Sequence, residues 1–468
     1  MNNSPVILLE FNELCPNLMD KFISEGHLAN FKKLRDSSAA FISEATERPP
    51  YLEPWVQWIN VHTGVPASEH GAMHLSEGHK VSQPGIWDLI SEAGMGVWIC
   101  GSMNVHTRSK LNGSILPDPW SDDAPVQPAA LKTYYGFVRK QVQEHSNASA
   151  KFKKSDYLSF LTFMISHGLS ANTVQFAVKQ LMNERKEGKF WRRAFILEML
   201  QFDIFLDTYR KQRPMFSTLF LNSTAHMQHV YWRNMQPELF KIKPSEKEQE
   251  QYADAILEGY VHMDKIVERL LKVAGDDATI VFSTAISQQP FFNYEETGGK
   301  RIYRPKDFAA FGKWAGLEGV KEYAPVMAEQ FWIHLETEAD AERAAKRLDA
   351  ITLDGGPAVG AHREGASVFS GCGVRRQIDP NAKLAGPAGT LPFFELFYEI
   401  EGLKSGMHHP EGLLWIRDAR IPRPTSAEHV ALESIAPTIL ELMGIRPPDH
   451  LKAASLLQGS PAHTLQSA

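Results

Sequence analysis

The stretch Phe216–Arg233, FSTLFLNSTAHMQHVYWR, decides the fold because its character changes abruptly in the middle. Phe216–Leu221 is an unbroken apolar and β-branched run, which is typical of a strand buried on both faces. The polar residues that follow favour a helix start, and His226 and His229 share one face of that helix because they are three residues apart. Two imidazoles are therefore expected at the carboxyl end of a buried strand, where open α/β sheets bind ligands. A pair of hydrogen-bonded surface histidines is the alternative interpretation.

Polar side chains also follow two other predicted strands. Val6–Phe11 and Thr279–Phe282 are short apolar runs of the kind that forms buried parallel strands. Because the carboxyl ends of parallel strands meet at one edge of a sheet, we expect the polar groups there to converge on the cleft that holds His229. These groups are Glu10, Asn12, Glu13, Ser283 and Gln288. For any one carboxylate, simple solvation is the alternative.

Helix-to-strand units at short spacing favour a parallel sheet. Ile86–Ala93 has a helical pattern that stops at Gly94, and Gly96–Cys100 is the next predicted strand. This is the βαβ pattern of an α/β fold. The sequence therefore predicts one α/β core formed by residues 1–124, 214–289 and 405–450. The remaining segments are predicted as a helical insertion at 125–213 that caps the carboxyl edge of the sheet, a loop-rich side domain at 290–404 and a C-terminal tail at 451–468.

The amino-acid composition indicates which kinds of partner the protein is expected to bind. The chain has 49 basic and 55 acidic residues without a long block of like charge, so neither a nucleic acid nor an anionic membrane surface is indicated. Cys15, Cys100 and Cys372 are odd in number and far apart, which favours a reduced intracellular setting. No apolar run approaches the ~18 residues of a membrane-spanning helix. We expect a cytoplasmic protein with a small-molecule substrate.

Five segments together carry a resemblance to a known family. They are TGVPASEHG at 63–71, IWDLISEAGMGVWICGS at 86–102, STAHMQHVYW at 223–232, GMHHPEG at 406–412 and ESIAPTILELMGI at 433–445. In this order they resemble the alkaline phosphatase superfamily, most closely its type I phosphodiesterase and nucleotide pyrophosphatase branch. The resemblance implies a large, mainly parallel sheet between helix layers. It also implies two metal ions, usually zinc, beside a threonine or serine nucleophile.

The chain departs from the pattern of that family at most of the site positions. Asn12, Ala225 and Thr284 stand where the family has aspartates, Ala285 stands where it has a histidine, and the place of the nucleophile falls on Pro54. Only His229 and His408 remain as ligands of the family type. Because a catalytic zinc needs about three protein ligands, the resemblance then implies at most one ion, with zinc as the first choice. The third ligand would come from Glu10 or Glu13, with Glu53 and His409 as alternatives.

The remaining reactive side chains give candidates for catalysis. Glu53 is the first choice for a base or nucleophile, since it adjoins the nucleophile position and is held by neighbouring prolines. His226 is the expected proton-transfer partner, since a carboxylate paired with an imidazole suits general acid–base work. Asn12 and Tyr51 are further catalytic candidates, and Ser283, Gln288 and His409 are the expected substrate contacts.

Two functions of different classes follow from this degenerate site. The first is an enzyme of altered mechanism, a hydrolase or transferase acting on a phosphate or sulfate ester, or on a sugar-linked group, of a small molecule. The second is a non-catalytic binding or regulatory protein that keeps the pocket. A third interpretation, in which the histidines only pack in the core, overlaps the second. Metal analysis of the purified protein is the most informative single measurement for choosing among them.

Overall fold

The computed structural model describes residues 4–121, 124–144, 152–326, 328–425 and 427–457. Part of the predicted helical insertion, at 145–151, and most of the predicted tail, at 458–468, therefore lie outside the described residues. In the described part of that tail, Leu451, Leu456 and Leu457 pack against the core.

The strands of the described residues are short, and many are buried on both faces. In chain order they are β1 (Val6–Phe11), β2 (Ala39–Glu44), β3 (Val97–Cys100), β4 (Gly113–Leu116), β5 (Phe216–Leu221), β6 (Thr279–Ser283), β7 (Ser287–Pro290), β8 (Lys300–Pro305), β9 (Val320–Pro325), β10 (Gln330–Leu335), β11 (Thr352–Leu353), β12 (Gly356–Pro357), β13 (Val359–Glu364), β14 (Ser367–Cys372), β15 (Lys383–Gly386), β16 (Gly389–Pro392), β17 (Phe397–Lys404), β18 (Gly406–His409), β19 (Glu411–Arg417) and β20 (His429–Ala431).

The helices alternate with the strands in the first and last parts of the chain and are consecutive in the middle. In chain order they are α1 (Pro16–Ser24), α2 (Ala29–Asp36), α3 (Pro54–Thr63), α4 (Ala67–His70), α5 (Ile86–Glu92), α6 (Lys132–Glu144), α7 (Lys154–Ser166), α8 (Ala171–Glu187), α9 (Arg193–Gln212), α10 (Ser223–Met235), α11 (Glu246–Tyr252), α12 (Ala255–Ala274), α13 (Phe308–Trp314), α14 (Glu338–Asp349), α15 (Phe393–Leu396) and α16 (Ile435–Leu442).

The centre of the molecule is a large, mainly parallel sheet flanked by helices, which confirms the predicted fold class. Its described strands have the order β20-β2-β19-β6-β1-β5-β3-β4, and all neighbours are parallel except β19, which runs antiparallel to β2 and β6. All of these strands come from residues within 1–124, 214–289 and 405–450. The carboxyl ends of β1, β5 and β6 therefore meet at one edge.

The alternation of side chains along β1 explains why the sheet is covered on both faces. Ile7, Leu9 and Phe11 join one hydrophobic cluster, while Val6 and Leu8 join a second on the opposite face. Successive side chains of a strand point to opposite faces, so a central strand between two layers has to be apolar throughout. The first cluster includes residues of α1, α2, α9 and α12, and the second includes residues of α3, α5 and α16.

The described part of 125–213 is helical, as predicted, but it does not have a core of its own. Residues of α6, α7 and α9 belong to the same hydrophobic cluster as β1 and β5. Helix α9 lies along the sheet, where Gln201 donates a hydrogen bond to the Phe220 carbonyl at 2.8 Å and Trp98 donates one to the Phe205 carbonyl at 3.3 Å. Helix α9 is thus part of the layer that covers the sheet. The cap over the carboxyl edge stays a prediction for the other helices.

The segment 290–404 is not loop-rich, so this part of the prediction is wrong. Its described residues form two four-stranded sheets, in the orders β13-β14-β10-β9 and β12-β11-β15-β16, and a β8–β17 pair. They share a hydrophobic cluster around Phe311, Phe331 and Leu348 that is separate from the clusters of the main sheet. The strands are short and the glycine turns between them frequent, so the sequence pattern resembled loops. Within the described residues, no helix has the combined length and apolarity needed to cross a bilayer.

Candidate metal centre

Three side chains converge at the carboxyl edge of the main sheet. Ligand atoms of Glu13, His229 and His408 all lie within 4.8 Å of one another. Glu13 Oε2 is 3.3 Å from His229 Nε2 and 3.6 Å from His408 Nε2, and the two imidazole centroids are 5.1 Å apart. These residues come from the loop after β1, from α10 and from β18. The predicted convergence of His229 and His408 is therefore confirmed.

Glu13 is held by the ends of the strands on either side of β1. The Asn12 amide donates to the Leu221 carbonyl at 3.0 Å and the Glu13 amide to the Thr284 carbonyl at 3.1 Å. Glu13 has a φ of 61°, in the left-handed region that few non-glycine residues adopt. Such strain persists only where the surroundings enforce it, and it is frequent at functional sites. The turn directs the Glu13 carboxylate toward the two imidazoles.

The Glu13 carboxylate is fixed by side-chain amides that the sequence analysis assigned to other roles. Asn12 Nδ2 donates to Glu13 Oε1 at 2.8 Å, while its Oδ1 accepts from Trp58 Nε1 at 2.8 Å. Gln288 Nε2 donates to Glu13 Oε2 and, at 2.9 Å, to the Ala225 carbonyl. Asn12 and Gln288 thus orient Glu13, and hydrogen bonds of this type tune metal ligands in known centres.

His229 is oriented by the backbone of β18. Its Nδ1 donates to the Gly406 carbonyl at 3.0 Å, which leaves Nε2 free to face Glu13. The Ser405 amide in turn donates to the His229 carbonyl at 2.7 Å. A ring nitrogen bonded to a backbone carbonyl, with the other nitrogen facing the centre, is the usual arrangement of a ligating histidine.

His408 lies between Glu13 and Glu53. Its Nδ1 is 3.4 Å from Glu53 Oε2, and its Nε2 faces Glu13. The antiparallel β7–β18 pair places His408 directly opposite Gln288. Glu53 lies at the N-cap position of α3, where its side chain makes no capping hydrogen bond and is available to the site.

The protonation states at neutral pH fit a metal centre. Burial alone would raise the pKa of Glu13, but His408 and His229 lower it to about 2. Burial lowers the pKa of His408 to about 3 in spite of the opposing effect of Glu13. Ligands must be deprotonated to bind a metal, and an ionised carboxylate with a neutral imidazole meets that requirement. Burial raises the pKa of Glu53 to about 8, with Lys404 acting in the opposite direction.

The side chains differ in their access to solvent. Those of Glu13 and His408 are 2% and 5% exposed, whereas His229 is 19% exposed and Glu53 is 23% exposed. The centre is therefore closed on the side of the sheet and reached past His229 and Glu53. A catalytic zinc site differs from a structural one by such an open side.

Glu10 is not part of this centre, so its assignment as a ligand is wrong. It is fully buried, and its Oε1 lies 2.6 Å from Nε2 of His62 on α3. Residues 10 and 13 were both predicted at the strand end, but Glu10 is still within β1 and shares the face of Val6 and Leu8. The Glu10–His62 pair is a structural contact beneath the site.

The structure assigns the other predicted residues different surroundings. His226 and Tyr51 are exposed, and Ser283 is buried, with its hydroxyl accepting from the Ala285 amide at 3.2 Å. His409 Nδ1 accepts from the Glu411 amide at 3.3 Å. None of these four contributes to the cluster of Glu13, His229 and His408 among the described residues. Their catalytic and substrate-binding roles stay predictions.

Residues that sequence reasoning missed support the site from behind. Gln228 Nε2 donates to the Glu13 carbonyl at 2.7 Å, and Gln228 Oε1 accepts from the Tyr260 hydroxyl at 2.8 Å. The Tyr260 hydroxyl also accepts from the Cys15 amide at 2.7 Å. The only signal for Gln228 in the sequence is its position directly before His229. Tyr260 has the pattern of an ordinary core residue of α12.

A second missed group is basic. Lys300 and Lys404 are direct partners in the antiparallel β8–β17 ladder, and both are partly buried. The charges of Lys300 and Lys404 act on the pKa of Glu53. Burial, together with the charges of Lys404 and Arg375, lowers the pKa of Lys300 to about 8. The segment 290–404 showed no local motif, so these lysines could not be related to the site from sequence.

Comparison with known proteins gives weak similarities. No protein-family model matches the chain, and no curated protein matches it. Among solved structures, the chain is similar to phosphonoacetate hydrolase from Sinorhizobium meliloti 1021, with 12% identity, 94% of this chain and 95% of that chain covered, and a TM-score of 0.43. It is also similar to murine ectonucleotide pyrophosphatase/phosphodiesterase 5, with 8% identity, 95% and 96% covered, and a TM-score of 0.42.

Proposed function

We propose that this chain is a divergent member of the alkaline phosphatase superfamily that acts, as a hydrolase or transferase, on a phosphate or sulfate ester of a small molecule with one bound divalent cation. The observation that carries the proposal is the convergence of Glu13, His229 and His408 within 4.8 Å at the carboxyl edge of the sheet. Ligand binding at that edge is the general rule for open α/β folds.

The donor set fits a single cation, with zinc as the first choice. One carboxylate and two imidazoles match the three protein ligands of catalytic zinc sites, and Glu13 and His408 are already in ligating protonation states. When bound, the cation would act as a Lewis acid on a phosphoryl or sulfuryl oxygen. No second cluster of three ligating side chains occurs in the part of the chain that the structure describes. The proposed mechanism therefore differs from that of a two-metal phosphodiesterase.

Residues of the chain supply the remaining chemistry. Glu53 is the proposed acid–base group because it lies on the open side, 3.4 Å from His408, in the loop that resembles the nucleophile loop of the superfamily. Asn12, Gln288 and Gln228 keep Glu13 in place, and the carbonyl of Gly406 keeps His229 in one tautomer. His226 stays the proposed proton-transfer partner, although its side chain is exposed.

The surroundings of the site also support the cytoplasmic setting that belongs to this proposal. Cys15, Cys100 and Cys372 are all free and buried. Unpaired thiols are usual in reducing compartments. Cys15 lies close to the centre, where its Sγ is 3.0 Å from the Gln288 carbonyl.

A non-catalytic binding protein is the second candidate, and one observation favours it. The position of the family nucleophile is occupied by Pro54, the first residue of α3, which has no reactive group. A protein of this kind would bind metal and ligand without turnover. The same cluster of Glu13, His229 and His408 would then serve affinity alone.

A substrate screen separates the two candidates. Zinc-loaded protein would be assayed on phosphate monoesters, phosphate diesters and sulfate esters, together with Glu53→Gln, His229→Ala and the control His27→Ala at an exposed histidine. The proposal predicts turnover of one ester class that is lost with a chelator and in the first two variants but kept in the control. Turnover that is unaffected by His229→Ala would refute the proposed site. Zinc and ligand binding without any turnover would support the binding protein.

A further inference from the structure

The lysine pair beside Glu53 carries an inference that rests on the proposed function and specifies its substrate. Lys300 and Lys404 lie directly opposite each other in the β8–β17 ladder. Side chains of directly opposite residues project from the same face of the sheet and approach closely, so like charges there are destabilising. A like-charge pair in such a position requires compensation from a neighbouring group.

Acidic residues near the lysines supply that compensation only from a distance, since the charges of Glu329 and Glu53 act on Lys300 without forming an ion pair with it. Among the described residues, no carboxylate lies within ion-pair distance of Lys300 or Lys404. The nearby acidic residues have other partners. Glu329 forms an ion pair with Arg375, and Glu53 lies 3.4 Å from His408. The Lys300 ammonium instead lies 5.8 Å from the ring centroid of Phe291. Among the side chains that the structure describes, the paired Lys300 and Lys404 thus have no ion-pair partner.

The pair is connected to the metal centre by the backbone. Lys404 precedes Ser405, whose amide donates to the His229 carbonyl at 2.7 Å, and Gly406, whose carbonyl accepts from His229. The charge of Lys404 acts on both His408 and Glu53, and that of Lys300 acts on Glu53. A group bound at the lysines would therefore lie on the open side of the centre, next to Glu53.

Arg375 lies beside the lysine pair, but its charge is compensated by an ion pair with Glu329. Its carbonyl accepts from the Arg301 amide at 2.7 Å, so the guanidinium-bearing residue borders the strand that carries Lys300. The ion pair with Glu329 and a hydrogen bond to the Cys372 carbonyl hold the Arg375 side chain in place. Lys300 and Lys404 are therefore the positive groups that would favour an anionic ligand, through both affinity and association rate.

We propose that Lys300 and Lys404 form an oxyanion subsite that holds a second negatively charged group of the substrate, a carboxylate or a phosphate, while the ester group lies at Glu13, His229 and His408. The substrate would then be a small molecule with two anionic groups. Neutral substituents on the ester would leave the two lysine charges uncompensated. Esters with one anionic group are accordingly poor substrates.

Calorimetric titration of chelator-treated protein with inorganic phosphate, and separately with acetate, tests the subsite without the metal centre. The variants are Lys300→Met and Lys404→Met, which keep most of the side-chain stem, with Lys404→Arg as the conservative variant. Lys321→Met on β9 is the matched control, because Lys321 is exposed and lies on another sheet. Each hydrogen bond to a charged group contributes about 1.5–3 kcal/mol, so loss of one lysine should weaken binding about 10- to 100-fold.

The expected result is binding of at least one of the two anions, weakened in both methionine variants and kept in Lys404→Arg and Lys321→Met. The anion that binds identifies the second group of the substrate as a phosphate or a carboxylate. Removal of one lysine should also raise Tm when no anion is present, because the repulsion is relieved. Absence of binding for both anions, or equal affinity in Lys300→Met and Lys404→Met, would overturn the subsite. Since the protein is metal-free, a failure of zinc to bind would refute the metal proposal and leave this result unchanged.

Discussion

Glu13 Oε2 lies 3.3 Å from Nε2 of His229, and the two residues are brought together from positions 216 residues apart in the chain. One follows β1 and the other lies in the second turn of α10, directly after β5. Since β1 and β5 are parallel neighbours, their carboxyl ends are adjacent. The contact is thus a consequence of strand order, and the imidazole of His408 completes it from β18.

Gln288→Leu should weaken zinc binding by about 10- to 100-fold, as expected for loss of a hydrogen bond that orients a metal ligand. The substitution removes the donor to Glu13 Oε2 and leaves the three ligands in place, so one ion should still bind at high zinc. Competition with a chromophoric chelator measures the change. Gln377→Leu is the control, since Gln377 is exposed and lies in the 290–404 segment, outside the main sheet. Equal losses in both variants would contradict a specific role for Gln288.

Gly406→Ala should displace β18 and weaken zinc binding. A Cβ at this glycine would lie 2.2 Å from the Gln228 carbonyl oxygen and 2.6 Å from Gln288 Oε1, so the backbone that accepts from His229 would have to move. At Gly402 the nearest atom would be Val230 Cγ1 at 3.8 Å, which is an ordinary contact. Zinc affinity of Gly406→Ala and of the control Gly402→Ala, measured by the same competition assay, should therefore differ by about tenfold or more. Wild-type affinity in Gly406→Ala would be inconsistent with the described geometry.

Glu10→Ala should lower the free energy of unfolding and leave the zinc content unchanged. The substitution leaves the buried His62 without its hydrogen-bond partner, and a buried polar group left unsatisfied costs about 1–3 kcal/mol. Urea unfolding measures the loss, and metal analysis of the folded protein should still give the wild-type zinc content. The control Glu44→Ala breaks an exposed pair with Arg48 and should cost less than about 1 kcal/mol. Loss of zinc from a stable Glu10→Ala protein would restore Glu10 as a ligand.

Acidification should destabilise the protein in part through His70. Burial lowers the pKa of His70 to about 4, with a smaller contribution from His106. Between pH 6.5 and 4 the unfolded state therefore binds more protons at this residue than the native state does. The contribution of His70 to the free energy of unfolding is thus fully present above pH ~6.5 and is lost as the pH falls toward 4. The contribution is about 3 kcal/mol, from ~1.4 kcal/mol per pH unit. His70 Nδ1 accepts from the Ala72 amide at 3.1 Å and cannot do so when protonated.

Unfolding of His70→Gln and of the wild type at pH 7.5 and pH 5 checks this prediction. Glutamine does not titrate, so the free energy of unfolding should fall less between the two pH values in the variant than in the wild type. Parallel pH dependence in the two proteins would show that His70 is not responsible.

Much of the fold was readable from the sequence because buried parallel strands are apolar on both faces. Val6–Phe11 and Phe216–Leu221 were predicted with the bounds that the structure gives them. The segment 290–404 was misread because its strands are short and partly exposed, as the alternating burial of β14 illustrates, and adjacent glycines obscured them. Pairing of such strands depends on long-range register, which no local pattern contains.

Site residues that directly follow a predicted strand could be identified from the sequence. Residues that reach the site only through the pairing of distant segments could not. Glu13 and His229 could be grouped because each follows a predicted strand, whereas His408 was identified only through the resemblance to the alkaline phosphatase superfamily. Glu10 was misassigned because a shift of a few residues along a strand changes the face of the sheet. Gln228 gave no signal beyond its position before His229, and Lys300 and Lys404 meet only through the β8–β17 register.

Metal content per chain is the most direct test of the central claim that Glu13, His229 and His408 hold one divalent ion. Protein would be saturated with zinc, dialysed and analysed by inductively coupled plasma mass spectrometry, alongside Glu13→Gln, His229→Ala, His408→Ala and the exposed control His27→Ala. We predict one zinc per chain in the wild type and the control, and loss of most of the zinc on dialysis in each ligand variant, because removal of a ligand weakens binding more than loss of an orienting hydrogen bond does. Two zincs per chain, no zinc, or full retention of zinc in Glu13→Gln would contradict the account.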